Sequence, residues 1–254
     1  MKVAVCLSGI CRGKVQRNLQ ELRKHFPYDY FFSTWEGREE EAKKLLPGEE
    51  ILTFPEPKMH YHPVIDIPEE LVTTPKMRIH RKNYNAGQYS NRTDGYGVNM
   101  RTRTLNHTKQ ILAHAYQLQT LDPSYDMIIR VRYDVLVSDK VDFTKYLNDS
   151  YNNREAIGFG VRGTRHKTIH AFKEVEKVYP NEMTPSHVSH DWGWYLMDPL
   201  IFHPRSMFDI GRTLKLHEEK KLMAAEWGWY QILSKPYGDN HRCIYGGAQI
   251  EKYL

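Results

Sequence analysis

The chain has 254 residues, of which 40% are hydrophobic and 12% aromatic, and its formal net charge is +5. This length suits one large domain, or one domain with a sizeable insertion, and the charge favours an anionic ligand. The three cysteines form no C-x-x-C pair, which excludes a disulfide framework and favours a reducing, cytoplasmic compartment. No apolar run reaches the length of a membrane span, which excludes a transmembrane class.

The first sixty residues alternate between strand and helix patterns. The opening apolar stretch is interrupted at once by Arg12 and Lys14, so we expect a first strand there and not a signal peptide. Apolar side chains then recur at helical spacing up to Phe26. The predicted elements are a strand at 2–7, a helix at 15–26, a strand at 28–35, a helix at 38–46 and a strand at 50–54. This order predicts a parallel sheet covered by helices, an α/β fold.

The rest of the chain continues this pattern after an interruption. Residues 55–100 hold several prolines and no clear period, which indicates a functional loop or an insertion. Residues 161–190 are mixed in character. The predicted elements are a helix at 101–119, strands at 126–132, 156–160 and 194–204, and helices at 205–216 and 220–234.

The segment "IIRVRYD" (128–134) places three charged residues at alternate positions of a predicted strand. Alternate residues share one face of a strand, and charges inside a core are costly unless they are paired. In open α/β sheets, ligands bind beyond the carboxyl ends of strands. A carboxylate there can hold a divalent cation, and arginines suit phosphate groups. The same charges also fit a purely structural network of arginine and aspartate.

Three motifs follow one another in a set order: "LSGICRG" at 7–13, "FFSTWEG" at 31–37 and R-x-R-x-D at 130–134. Together they resemble GT-A-type glycosyltransferases, in particular small phage, viral and bacterial enzymes. The resemblance implies a GT-A-like, Rossmann-type α/β fold with a mixed, mostly parallel sheet flanked by helices. It implies one domain over 1–254, with a nucleotide-sugar-binding half at 1–135, which carries the basic insertion at 55–100, and an acceptor-binding half at 136–254.

The resemblance also implies a nucleoside diphosphate sugar as donor, with Mn²⁺ or Mg²⁺ as cofactor. The D-x-D motif of the family stands here as Arg132-Tyr133-Asp134, which keeps only the last acid. That acid, Asp134, is the expected metal ligand, while the turn after the first strand brings backbone close to the nucleotide. The residues expected at the donor are Ser8, Gly9, Arg12, Arg130, Arg132 and Asp134.

Transfer by inversion at the sugar carbon needs a carboxylate base beside the acceptor hydroxyl. Asp191 in "SHDWGWYLMD" and Glu226 in "AAEWGWYQIL" are the candidates, with Asp198 as a third. Each acid also fits a solvated or capping role. His166 and His170 are four residues apart, but no acid or cysteine completes a zinc site with them. His241 is a further candidate ligand of metal or phosphate.

Residues 76–109 contain eight basic residues and one acidic residue, a net charge of +7 against +5 for the whole chain. Basic residues interleaved with aromatic ones indicate contact with nucleic acid, although this loop could equally wrap the donor. Some small phage glycosyltransferases modify hydroxymethylated pyrimidines, so the leading acceptor is 5-hydroxymethylcytosine in double-stranded phage DNA, within the host cytoplasm. The alternatives are a bacterial or viral glycan, or a non-catalytic nucleic-acid-binding protein. The residues expected at DNA are Arg78, Arg81, Lys82 and Arg92.

Overall fold

Two groups of strands are present in the computed structural model, which describes residues 1–59, 100–160, 186–187, 196–223 and 225–250. Within those residues the strands are β1 (Val3–Leu7), β2 (Asp29–Trp35), β3 (Ile51–Phe54), β4 (Met127–Val131), β5 (Val135–Val137), β6 (Ala156–Gly160), β7 (Ser186–His187), β8 (Leu200–Pro204), β9 (His241–Tyr245) and β10 (Ala248–Ile250). Eight of them form a sheet of order β3-β2-β1-β4-β8-β6-β9-β7, and β5 pairs with β10 in a separate antiparallel ribbon.

Helices cover both faces of the sheet. They are α1 (Val15–His25), α2 (Glu39–Leu45), α3 (Met100–Thr120), α4 (Phe143–Asn153), α5 (Ile210–Glu218) and α6 (Ala225–Leu233), with 3-10 turns at Arg205–Met207 and Lys235–Tyr237. In the described part of the chain, no helix combines the length and the apolar character that crossing a membrane requires.

The expected α/β class with a mixed, mostly parallel sheet is confirmed. Strands β1 to β4 run parallel to one another, and β6 is parallel to β9. Strand β8 runs antiparallel between β4 and β6, which makes the sheet mixed. Because β8 is antiparallel, it begins where β4 ends, with Leu200 opposite Val131.

Some element boundaries differ from the predicted ones. In the described part of the predicted strand at 194–204, only Leu200–Pro204 is extended into the sheet. The predicted helix at 205–216 is a 3-10 turn followed by α5, because Asp209 caps a new helix by accepting a hydrogen bond from the backbone N–H of Arg212.

The sequence analysis does not predict α4, β9 or β10. A signal for α4 is present, since Phe143, Leu147 and Ser150 are buried at helical spacing and Asp142 accepts from the N–H of Lys145. Strand β9 carries a charged residue in its interior, Arg242, whose guanidinium pairs with carboxylates of α4 and of the segment before β6. Short strands with polar side chains give a weak sequence signal.

The core has one layer on each side of the sheet. Alternate residues of β1 and β4 enter different layers, so that Val5 and Ile129 pack with α1 while Ala4 and Ile128 pack with α3. Each layer contains residues from before position 135 and from after position 136. The two halves that the sequence suggests therefore share one core.

A buried histidine pair lies in the layer beneath α3. The Nε2 atoms of His114 and His203 are 3.3 Å apart, and His203 Nδ1 donates to the main-chain oxygen of Pro204. With its proton on Nδ1, His203 must accept at Nε2, so His114 donates from its own Nε2 and both rings are neutral. Burial lowers the pKa of His203 to about 4 and holds that of His114 well below 6.5.

A glycine on β6 allows a close approach of the chain that leads into β8. A Cβ atom at Gly158 would lie 2.5 Å from the main-chain oxygen of Met197 and 2.8 Å from its nitrogen. Because these atoms belong to the backbone, they cannot move aside as a side chain would. The glycine therefore permits the backbone around Met197 to lie this close to β6.

We expect Gly158→Ala to destabilise the protein by about 1–3 kcal/mol, because overpacking against backbone forces a local shift. The matched control is Gly211→Ala in α5, where the nearest atom to the added Cβ would be 3.5 Å away. There alanine should be neutral or stabilising by about 0.5–1 kcal/mol, since it lowers the entropy cost of a helix. Urea unfolding of the two variants measures both effects, and equal stabilities would contradict the close approach.

The histidine pair predicts a loss of stability on mild acidification. The unfolded chain takes up protons on both rings as the pH falls below about 6.5, whereas the folded chain takes up none on His203 until about pH 4. The contribution of the pair is therefore complete above pH 6.5 and declines between pH 6.5 and pH 4. Between pH 7.5 and pH 5 we expect His203 to account for a loss of about 2 kcal/mol, with a further loss from His114.

The measurement is urea unfolding at several pH values, for the wild type and for a His114→Gln/His203→Gln double variant. The variant should lose less stability over the same pH range, whatever its stability at pH 7.5. A pH dependence identical to that of the wild type would show that the pair does not titrate as described.

Candidate functional site

The carboxyl ends of β1 and β4 lie side by side and mark the point where the order of the sheet reverses. These strands are parallel neighbours, with Leu7 opposite Val131. From β1 the chain proceeds through β2 to β3 on one side, and it later returns to β4 on the other side. At such a switch point the two following loops leave in opposite directions and open a crevice, where α/β proteins bind their ligands. The loop at 8–14 and the segment 132–134 meet there.

Asp134 accepts hydrogen bonds from two arginines at this place. The Nε of Arg132 lies 2.9 Å from Oδ1 and its Nη2 lies 2.9 Å from Oδ2, which is a bidentate pair. Arg12 reaches across from the loop after β1, with Nε and Nη2 at 3.1 and 3.0 Å from Oδ2. Burial by itself raises the pKa of Asp134, but the charges and hydrogen bonds of Arg132 and Arg12 lower it to about 2. The carboxylate is therefore ionised at neutral pH.

Arg130 is the one charged residue of the motif that lies within β4, since the strand ends at Val131. Its Nη2 donates to Gln110 of α3 at 2.8 Å, its Nη1 donates to the main-chain oxygen of Asp198, and its guanidinium lies over the ring of Trp229. Burial lowers the pKa of Arg130 to about 10, so it stays charged at neutral pH. These contacts fix the segment that carries Asp198.

Asp198 is the second carboxylate of the cluster. Its Oδ2 lies 3.6 Å from Nη1 of Arg132, so one guanidinium faces both acids. Burial raises the pKa of Asp198, but Arg132 and other positive neighbours lower it below its ordinary value. The five side chains of Arg12, Arg130, Arg132, Asp134 and Asp198 form what we call the Arg/Asp cluster, which carries three positive and two negative charges. A buried or half-buried cluster with an excess positive charge attracts an anion.

Tyr133 holds the cluster in register with the sheet. Its hydroxyl lies 3.0 Å from the carbonyl of Leu7 and 2.9 Å from that of Ser33, and it accepts from the N–H of Ser33 at 3.1 Å. Asn18 of α1 donates to the carbonyl of Tyr133 at 3.2 Å. Burial raises the pKa of Tyr133 well above 10, so the hydroxyl keeps its proton. The sequence analysis does not single out this residue, although it stands between the two residues that it positions.

The loop after β1 supplies backbone and one arginine to the crevice. Gly9 has φ of +95° and Gly13 has φ of +92°, backbone angles that residues with a side chain rarely adopt. Ser8 is buried, and its hydroxyl oxygen has no hydrogen-bond partner among the described residues. Arg12 lies between the two glycines and is 43% exposed at its side chain. Through its contact with Asp134, Arg12 joins this loop to the predicted residues of the β4 segment.

The other predicted residues are placed less completely. Glu226 is half-buried in the first turn of α6, and its main-chain oxygen accepts from the N–H of Leu196, two residues before Asp198. His241 begins β9, where its Nδ1 lies 2.7 Å from the hydroxyl of Ser234. Asp191, His166 and His170 and the predicted DNA contacts Arg78, Arg81, Lys82 and Arg92 lie outside the described residues.

One carboxylate of the cluster, that of Asp134, can hold a divalent cation through both of its oxygens on one condition. Among the residues that the structure describes, no group of three or more His, Cys, Asp or Glu is arranged to hold a metal. Mg²⁺, however, commonly takes only one or two protein carboxylates and completes its shell with water and substrate phosphates. Asp134 and Asp198 are both ionised, but they contact different nitrogens of Arg132, so Asp134 alone is the carboxylate that fits this donor set. The condition is that Oδ2 of Asp134 is released by Arg12.

No protein-family model matches the sequence, and no curated protein matches it. Solved structures that are similar include mouse xyloside xylosyltransferase 1 in its apo form, with 9% identity, a TM-score of 0.41, and coverage of 94% of this chain and 83% of that one. They also include residues 1–349 of TarS from S. aureus in complex with UDP-GlcNAc, with 11% identity, a TM-score of 0.42, and coverage of 100% and 59%. A third is core-mannan synthase A from Aspergillus fumigatus in a Mn/GDP form, with 11% identity, a TM-score of 0.42, and coverage of 94% and 68%. The chain thus spans less than two thirds of the TarS fragment.

Proposed function

We propose that the protein is a nucleotide-sugar-dependent glycosyltransferase, whose donor diphosphate binds at the carboxyl ends of β1 and β4. The observation that carries the proposal is the Arg/Asp cluster, which places three guanidinium groups around two carboxylates at the switch point of the sheet. A diphosphate supplies the negative charge that the cluster lacks. Arginine matches phosphate oxygens with paired, charge-assisted hydrogen bonds.

The arginines contribute to donor binding in different ways. Arg12 is the most exposed of the three and is free of secondary structure, so it suits direct contact with phosphate. Arg132 is buried between the two acids and orients both of them. Both terminal nitrogens of Arg130 donate hydrogen bonds to protein acceptors, one in the segment of Asp198 and one in α3. Arg130 therefore contributes its positive charge to the site and holds these two segments together. The Ser8-Gly9 turn offers backbone and a buried hydroxyl to the nucleotide.

Asp134, with Asp198 beside it, is the proposed ligand of Mg²⁺ or Mn²⁺. A cation bound there would neutralise charge on the departing nucleoside diphosphate. Asp134 keeps the negative charge needed for this role at every pH above about 2. Tyr133 holds the two neighbouring side chains, Arg132 and Asp134, at fixed positions relative to β1 and β2.

In the proposed reaction an acceptor hydroxyl oxygen bonds to the anomeric carbon of the sugar. The bond from that carbon to the phosphate oxygen breaks, and the nucleoside diphosphate leaves with its electron pair. If the configuration inverts, a carboxylate takes the proton of the hydroxyl, and Glu226 and Asp191 are the proposed bases. The support for Glu226 is that its turn of α6 is hydrogen-bonded to the segment leading to Asp198. In this arrangement residues 1–135 bind the donor and residues 136–254 bind the acceptor.

The donor proposal predicts that Asp134→Asn loses at least tenfold in kcat/KM, or about 1.4 kcal/mol of transition-state stabilisation. The measurement is release of nucleoside diphosphate from a panel of UDP- and GDP-sugars with Mn²⁺ or Mg²⁺. Asp139→Asn is the matched control, because Asp139 is an exposed acid five residues away. If the enzyme inverts, one of the two variants Glu226→Gln and Asp191→Asn should keep donor binding and lose transfer to the acceptor. Full activity of Asp134→Asn would remove the metal role, and normal turnover by both base variants would place the base elsewhere.

For the acceptor we propose a hydroxymethylated pyrimidine in DNA, 5-hydroxymethylcytosine in particular. The support comes from the sequence: residues 76–109 carry a net charge of +7 and several aromatic side chains. Lys109, one of these basic residues, lies in α3 and pairs with Glu56 at 2.6 Å. A bacterial or viral glycan is the alternative acceptor. A non-catalytic nucleic-acid-binding protein would explain the basic segment but would leave the Arg/Asp cluster without a role.

The DNA proposal predicts a steep dependence of binding on salt. About four phosphate contacts would give a slope near −3 to −4 in a plot of log affinity against log salt, because each contact releases counterions. Arg81→Ala/Lys82→Ala should flatten this slope by up to about 2 while leaving the hydrolysis of nucleotide sugar unchanged. The matched control is Lys43→Ala/Lys44→Ala, which removes two adjacent exposed lysines of α2. Salt-insensitive binding, without transfer of sugar to hydroxymethylcytosine DNA, would favour the glycan acceptor.

A further inference from the structure

Two arginines hold Asp134, and they differ in how firmly they are themselves held. The Arg132 side chain is 6% exposed and follows directly on β4, beside the anchored Tyr133. The Arg12 side chain is 43% exposed and lies in a loop bounded by Gly9 and Gly13. Displacing Arg132 would open the core, whereas Arg12 belongs to a loop and its side chain is already partly in solvent. Arg12 is therefore the partner of Asp134 that can be exchanged.

The exchange is chemically required if a cation is to bind Oδ2 of Asp134 or to chelate both oxygens of this carboxylate. Oδ2 accepts from Nε and Nη2 of Arg12 and from Nη2 of Arg132, while Oδ1 accepts from Nε of Arg132. A carboxylate oxygen has two lone pairs, so Oδ2 has no capacity left for a metal while Arg12 is in place. A cation and a guanidinium at the same oxygen would also repel each other.

We propose that Arg12 and a divalent cation are alternative partners of Asp134, and that Arg12 moves from this carboxylate to the donor phosphates when donor and cation bind together. The inference rests on the proposed function and adds to it an exchange of partners at Asp134. Without donor, a cation that binds Oδ2 must displace Arg12, and the charge of Arg12 then loses its pairing with that carboxylate. With donor, the phosphates receive Arg12 and supply further oxygen ligands to the cation. Each ligand therefore strengthens the binding of the other.

The test measures binding of Mn²⁺ alone by isothermal titration calorimetry, with no nucleotide present. Arg12→Gln should bind Mn²⁺ about fivefold or more tightly than the wild type, because the competing guanidinium is gone. Arg17→Gln is the matched control, since Arg17 is an exposed arginine of α1 and its removal changes the net charge equally. It should leave Mn²⁺ affinity unchanged. Adding Asp134→Asn to Arg12→Gln should abolish the gain, which locates the effect at Asp134.

A second arm measures binding of UDP and of GDP in the presence of EDTA. Here Arg12→Gln should bind the nucleoside diphosphate more weakly than the wild type and the Arg17→Gln control. An exchange predicts opposite changes in the two arms: Arg12→Gln binds Mn²⁺ more tightly and the nucleoside diphosphate more weakly. Mn²⁺ affinity that is unchanged or reduced in Arg12→Gln would overturn the inference, even if the wild type binds nucleoside diphosphates. Failure of the wild type to bind either nucleotide would instead count against the proposed function.

Discussion

The ionised carboxylate of Asp134, buried between two guanidinium groups, is the interaction on which the site depends. Removing a carboxylate from water is costly unless charge and hydrogen bonds compensate, and here Arg132 and Arg12 provide both. These two arginines come from positions more than a hundred residues apart in sequence. The pairing therefore ties the loop after β1 to the segment after β4 and defines the crevice between them.

The mixed character of the sheet explains why a second acid is present. In a purely parallel sheet, the strand beside β4 would place its preceding loop at the opposite edge. Strand β8 is antiparallel, so the segment before it, which carries Asp198, reaches the carboxyl end of β4. Gly158 and the guanidinium of Arg130 fix the backbone of that segment from two sides. Fold topology and local packing thus bring both acids to one guanidinium.

A structural network of charges and a ligand site are not exclusive descriptions of this cluster. The arginines and acids pair with one another in the free protein, and this pairing stabilises the charged groups inside the fold. The remaining positive charge attracts an anion, and the exposed position of Arg12 makes this arginine accessible to it. An anion that takes Arg12 would expose Asp134 to a new partner. The same residues can therefore serve stability before binding and chemistry after it.

The sequence by itself determined the alternation of strands and helices, the α/β class and the two segments that form the crevice. Those features follow from local periodicity and from the rule that ligands bind at the carboxyl ends of strands. Only the tertiary structure decided the antiparallel insertion of β8, the short polar strand β9, the anchoring by Tyr133 and the sharing of Asp134 by Arg132 and Arg12. The physical reason is that these features depend on contacts between residues distant in sequence, whereas periodicity reports only on neighbours along the chain.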